Sequence, residues 1–278
     1  MKKRINVLLP LFLIFFLAAA DGLLAREGRA RISTLNETYY DQSDLEAEIV
    51  FGRDLAARIL GNYQLLDNDR VNRYVNLVGN AVALYAGRPE IKFHFAVLDS
   101  AECNAFAAPG GYVFITRGAL DLMENEAQLA GVLGHEIAHI NEKHIIKELK
   151  IRGQDDSVAG ALGNLIGGST DTFRKTLEQA MESAADILFN RGYKMEDELA
   201  ADQIGLLMAS LAGYNPAALG SFLAKARRFE PEDATYTDKE HPLSAVRLAK
   251  IGDTLKTNGM TGNDNALMKG RFDENIHP

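Results

Sequence analysis

The sequence predicts an α+β fold, mainly helical with a small antiparallel sheet, and three observations carry that expectation. Four stretches repeat apolar residues at helical spacing, and two short β-rich stretches flank a Pro-Gly-Gly turn. No period of roughly 20 to 50 residues points to a solenoid. The 278 residues are 47% hydrophobic and 24% charged, which excludes disordered, collagenous and low-complexity classes. At about 150 residues per domain, that length suits one large domain or two small ones.

The first twenty residues stand apart from the fold. Lys2, Lys3 and Arg4 precede an uncharged, Leu- and Phe-rich run from Ile5 to Ala20, and Ala18 and Ala20 match the small-residue cleavage pattern of a secretory signal peptide. The rival reading is an uncleaved membrane anchor, because the run approaches the roughly 20 residues that span a bilayer. Pro10 and the alanine pair favour cleavage. No cysteine lies there to carry a lipid. Residues 21–43 read as a mobile N-terminal segment, 44–256 as the folded domain and 257–278 as a polar, loosely held tail.

Within the domain, Leu45, Ile49, Leu55, Ile59 and Leu60 recur at roughly helical spacing from Asp44, and a second helix is expected from Asp69 to Tyr85. Ile91, Phe93, Phe95 and Val97 alternate over a β-rich run, the pattern of a half-buried strand. Pro109-Gly110-Gly111 marks a turn, and Tyr112 to Thr116 forms the next strand. Lying just before the following helix, that strand is expected to offer an exposed edge to an extended polypeptide through Tyr112, Val113 and Phe114.

Asn125 and Gln128 resemble a capping box, and helix formers continue from Glu126 to about Lys150. Inside that helix stands His135-Glu136-Ile137-Ala138-His139. At about 100° per residue the two histidines sit some 40° apart on one face, while Leu129, Leu133, Ile137 and Ile140 gather opposite. In this H-E-x-x-H arrangement two neutral imidazoles bind Zn²⁺ and the Glu serves as general base. Glu198 and Asp202 share a face of a later helical run, so Glu198 would complete a His₂Glu site. Asp202 would accept the ring N–H of His135 and fix its tautomer. The plainer reading makes the pair a solvated acidic face beside Glu196 and Asp197; the upstream motif favours ligation.

Other residues fit blander roles. His144 falls about 180° around a continuous helix from His135, which assigns it to structure. His94 fits strand packing, His277 lies in the polar tail, and Cys103 reads as a small packing residue. A lone cysteine excludes an internal disulfide and multi-cysteine zinc fingers. With 30 basic against 38 acidic residues the net charge is −8, so nucleic acid is not an expected partner. Gly153, Gly160, Gly163, Gly167 and Gly168 punctuate the stretch from Ile151 to Thr172, which reads either as a hinged lid or as a closely packed small-residue helix.

Asn104-Ala105-Phe106, Pro109-Gly110-Gly111, the H-E-x-x-H run, Glu198 with Asp202, and His241-Pro242 with Arg247 stand in the order seen in metallopeptidase family forty-eight. The sequence resembles that family, which includes HtpX-like and BepA-like bacterial quality-control proteases and type-one CAAX prenyl proteases, from about Asp44 to Asp253. Ala200 departs from the second Glu of many members. The resemblance implies a gluzincin-type domain with one zinc ion per chain held by His135, His139 and Glu198, and with Glu136 as base. It also implies a site role for His241, as a hydrogen-bond donor to the tetrahedral oxyanion or an occupant of the open zinc position. Arg247 would be a second donor or a salt-bridge partner. The resemblance implies polypeptide substrates in periplasmic or secreted protein quality control, with membrane association only if the N-terminal segment persists. The alternative is a periplasmic chaperone or assembly factor with a latent zinc site.

Overall fold

A computed structural model describes residues 42–151, 171–227, 245–260 and 267–277. The N-terminal stretch expected to be a signal peptide, most of the glycine-punctuated stretch, and His241 lie outside them. Helix α1 spans Gln42–Asn62, and its buried stripe is Ala47, Phe51, Leu55, Ala56 and Ile59. Leu55 and Ile59 face the core as predicted, whereas Leu60 is exposed and Leu45 and Ile49 are only half-buried. The stripe is rotated because it also carries Glu48, fully buried against the Arg88 guanidinium at 3.0 Å.

Helix α2 (Asp69–Ala83) starts at the Asn68 cap, whose side chain accepts the Val71 N–H, and stops two residues before Tyr85. Val71, Tyr74, Val75, Val78 and Val82 form its buried stripe. Its polar flank meets strand β1 (His94–Leu98). There the Asn72 amide oxygen accepts from Val97 N, and Asn76 donates to Phe95 O at 2.5 Å. Leu66 N donates to Val97 O and Asp99 N to Gln64 O, so the outer edge of β1 is covered.

Strand β2 (Ala105–Ala108) runs through a tight turn at Pro109–Gly111 into β3 (Tyr112–Thr116). The turn needs positive φ at Gly110 (73°) and Gly111 (99°), and a Cβ on Gly111 would lie 2.4 Å from Lys92 O. The sheet order is β1-β3-β2, with β2 and β3 antiparallel and β1 and β3 parallel. The expected antiparallel sheet is therefore mixed. The 99–104 connection carries the chain to the far side of β3, so only the hairpin pair can be antiparallel. This order also corrects the edge assignment: Tyr112, Val113 and Phe114 sit in the central strand, paired on both sides, and cannot accept another strand. The edge strand beyond them is β2.

Helix α3 (Arg117–Leu122) leads into α4 (Glu126–Asn141), in which all sixteen residues are buried. The predicted helix to Lys150 stops short because Lys143 adopts a left-handed conformation (φ 57°, ψ 39°), and a separate helix α5 (His144–Glu148) follows. Helix α6 (Asp171–Asp186) packs on α1 and on a π-helical turn at Ile187–Arg191, α7 (Met195–Leu211) and α8 (Ala218–Ala226) pack on α4, and α9 (Ala245–Thr257) packs on α7 and α8. The last helix, α10 (Lys269–Ile276), corrects the expectation of a loose tail. Phe272 is fully buried near the Tyr74 ring, and Arg271 forks onto Glu126 at the start of α4. Cys103 is exposed in the 99–104 connection instead of packing, and His94 is exposed with its ring stacked on Tyr112. Among the described residues, no helix is long and apolar enough to cross a membrane.

Candidate metal centre

The site is built where α4 crosses α7. Asn125 caps α4 by accepting the Gln128 N–H at 3.1 Å, as the sequence predicts, and the helix places His135, Glu136 and His139 in its third and fourth turns. The crossing depends on two glycines. A Cβ on Gly134 would lie 2.7 Å from Gly205 O, and one on Gly205 would lie 2.6 Å from His135 N. Backbone thus touches backbone, which brings Glu198 and Asp202 of α7 against the histidines.

His135 Nε2 and His139 Nε2 lie 3.0 Å apart, and the Glu198 carboxylate approaches them at 3.5 and 3.4 Å. All three side chains are buried, and among the described residues they form the one group able to hold a metal ion. The donor set fits zinc. Tetrahedral coordination with bonds near 2.05 Å separates ligand atoms by about 3.3 Å, close to the 3.0 Å between the two Nε2 atoms and to the approach of each to one Glu198 oxygen, Oε2 to His135 and Oε1 to His139. Charge points the same way, since among the described residues the buried carboxylates Glu136, Glu198 and Asp202 outnumber the Arg247 guanidinium that they face, a surplus that suits a dication.

The supporting residues divide by histidine. Asp202 Oδ1 lies 3.0 Å from His135 Nδ1, the contact read from the i, i+4 spacing with Glu198. Arg247, reaching in from α9, clamps Asp202 through Nε (2.8 Å) and Nη2 (2.7 Å) and contacts Glu198 through Nη1 (2.6 Å). Of its two expected roles, the salt bridge is the one the described geometry contains. The extended-helix argument for His144 is corrected. The break at Lys143 turns the chain back so that His144 Nδ1 lies 2.8 Å from His139 Nδ1. Tyr193, which no sequence pattern singled out, stacks on His139 with centroids 4.0 Å apart.

Electrostatics follow burial and partners. Without metal, burial disfavours protonation of His135, but its hydrogen bonds to Asp202 and Glu198 outweigh this and push it up to about 9. Burial holds His139 well below its usual value and His144 down to about 3. Burial also raises the Tyr193 hydroxyl, reinforced by the charge of Glu136. Asp202 is held below the usual carboxylate range because the Arg247 guanidinium overcomes its burial. The neutral, acceptor form of His139 is the one a metal requires.

This fold, with an H-E-x-x-H helix crossed by a Glu-bearing helix, is that of a metallopeptidase family: residues 69–255 match the model of Peptidase family M48, more than half of the chain, and the chain belongs to that family. The relatives are similar over much of its length. The beta-barrel assembly-enhancing protease of Escherichia coli (strain K12) is 26% identical over 212 residues, covering 73% of this chain and 42% of that protein. The mitochondrial metalloendopeptidase OMA1 of Schizosaccharomyces pombe is 26% identical over 225 residues, 79% of this chain and 64% of its own length. The metalloprotease LoiP of Escherichia coli (strain K12) is 23% identical over 235 residues, 83% of each chain. The chain thus spans less than half the length of the beta-barrel assembly-enhancing protease it matches.

Proposed function

We propose that the protein is a zinc-dependent metalloendopeptidase hydrolysing peptide bonds of misfolded or envelope proteins, in the periplasm or tethered there by an uncleaved N-terminal segment. The observation that carries the reading is the convergence of His135, His139 and Glu198, whose ligand atoms lie within 4.8 Å of one another, with Glu136 buried on the helix that carries both histidines. Membership of the M48 family and the signal-like N-terminus support the compartment and substrate class.

When bound, zinc supplies Lewis acidity, lowering the pKa of water toward about 7 and polarising a scissile carbonyl. His135, His139 and Glu198 hold it. Glu136 takes the proton from the attacking water and delivers it to the leaving amine, so no covalent intermediate is needed. Asp202 and Arg247 keep His135 and Glu198 oriented through the contacts described above.

Purified Glu136→Gln protein should keep its fold and its zinc but lose cleavage of an unfolded substrate such as casein, since the amide cannot accept the proton. Cleavage at the wild-type rate would sink the assignment, and biological rescue without cleavage would favour the chaperone reading. His241→Ala separates that residue's two roles. A donor to the oxyanion predicts kcat lower by roughly 10²–10³ with little change in KM, whereas an occupant of the open position predicts higher activity. Unchanged kinetics would dismiss both.

A further inference from the structure

The chain reverses direction immediately after the helix that carries both histidines, and the reversal has a specific product. Helix α4 closes with Glu142 N donating to Ala138 O and Lys143 N to Ile140 O. Lys143 then adopts the left-handed conformation that glycine or asparagine usually supplies. A buried, non-glycine residue in that region is a local cost, and such costs persist where the surrounding structure demands them. Here the turn carries His144 from the far side of an imagined continuous helix onto His139.

The geometry restricts the protons. His139 Nε2 faces His135 and Glu198, and as a metal ligand it turns its lone pair toward them, which leaves its proton on Nδ1. At 2.8 Å from that nitrogen, His144 Nδ1 can only accept, which leaves the proton of His144 on Nε2, facing Asp197 Oδ1 at 3.5 Å. Tyr193 is stacked on His139 and tilted against His144, holding the two rings in place.

We propose that His144 is a positioning residue that accepts the Nδ1–H of His139, fixing the tautomer and ring plane with which His139 presents Nε2 to the metal. The two histidines of the motif are then supported differently, His135 by the carboxylate of Asp202 and His139 by a neutral imidazole. The difference has an electrostatic reason. Glu136, Glu198 and Asp202 already place three carboxylates in the buried site, and an imidazole supplies the acceptor without adding a fourth charge there.

This inference rests on the reading of His139 as a metal ligand, and the test keeps the two apart. Zinc affinity of the full chain is measured by competition with a chromophoric chelator, alongside the visible spectrum of the Co²⁺-loaded protein. His144→Phe keeps a flat ring but removes the acceptor. It should weaken zinc binding by roughly 10–100-fold, the effect of losing a partner behind a metal ligand, and alter the cobalt bands. His144→Asn puts an amide oxygen at the position of the lost Nδ1 and should recover most of the affinity and the wild-type spectrum. If phenylalanine prevents folding, His144→Leu removes the acceptor with a smaller side chain. Wild-type affinity in the Phe or Leu variant, or a loss in Asn as large as theirs, would overturn the role of His144 while leaving the ligands in place. Failure of the wild-type chain itself to bind zinc would overturn the ligand reading, and this inference with it.

Discussion

The crossing of α4 and α7 offers the sharpest test, because a single methyl group should pry the site apart. In Gly205→Ala the new Cβ would lie 2.6 Å from His135 N, 2.7 Å from Gly134 C and 2.8 Å from His135 Cα, all backbone atoms that no rotamer change can move. Reaching ordinary contact of about 3.5 Å requires the helices to part by nearly 1 Å, an overpacking that costs about 1–3 kcal/mol. Better helix propensity returns about 1 kcal/mol of this, so the net loss is about 0–2 kcal/mol without metal. For a domain of this size that lowers Tm by up to roughly 8 °C. The larger effect falls on the site, where the same displacement widens the 3.5 and 3.4 Å approaches of Glu198 to His135 and His139. Zinc affinity should drop by roughly 10–100-fold, the scale seen when ligand support is disturbed. Circular-dichroism melts in chelator and zinc competition measure the two effects, with Gly252→Ala, where an added Cβ meets nothing within 4 Å, as the control. Wild-type zinc affinity in Gly205→Ala would refute the claim that backbone contact at the crossing sets the ligand spacing.

Two further outcomes follow from buried charge. Arg247→Ala leaves Glu198 and Asp202 without their guanidinium and should destabilise the metal-free protein by about 3–5 kcal/mol in urea unfolding; an unshifted midpoint would show that the clamp is not structural. At the start of α4, burial alone would raise Glu126, but the Arg271 fork and the hydroxyls of Tyr214 and Tyr74 outweigh it and hold Glu126 below the usual carboxylate range. A depressed carboxylate contributes stability above its unfolded pKa of about 4.3 and loses it as pH falls through the native value. Arg271→Ala should therefore melt lower than wild type at pH 7, measured with chelator present, and the gap should close below about pH 4. A gap independent of pH would mean that Arg271 acts through packing of α10 and not through the ion pair.

Local periodicity made much of the protein legible from sequence alone. The capped helix with His135, Glu136 and His139, the i, i+4 pairing of Glu198 with Asp202, the alternating β1 run and the Pro-Gly-Gly turn each depend on spacing within one element, and spacing is a property of the chain. The ordered motifs also pointed to the family before any contact was known. What the spacing could not carry was anything set between elements. That β3 is central and β2 the edge depends on which side of the hairpin β1 joins, a choice made by long-range pairing. The helical projection of His144 failed because one left-handed residue, Lys143, ends the helix, and a lysine announces no such turn. Gly134 and Gly205 are unremarkable in their own helices and matter only because they face each other. The docking of Arg271 and Phe272 onto α2 and α4 escaped a reading of composition, because a polar segment with one aromatic and one well-placed cation looks like a tail until its buried partner, Glu126, is known. Burial and ion pairing are relations between distant parts of the chain, and only the tertiary structure brings those parts together.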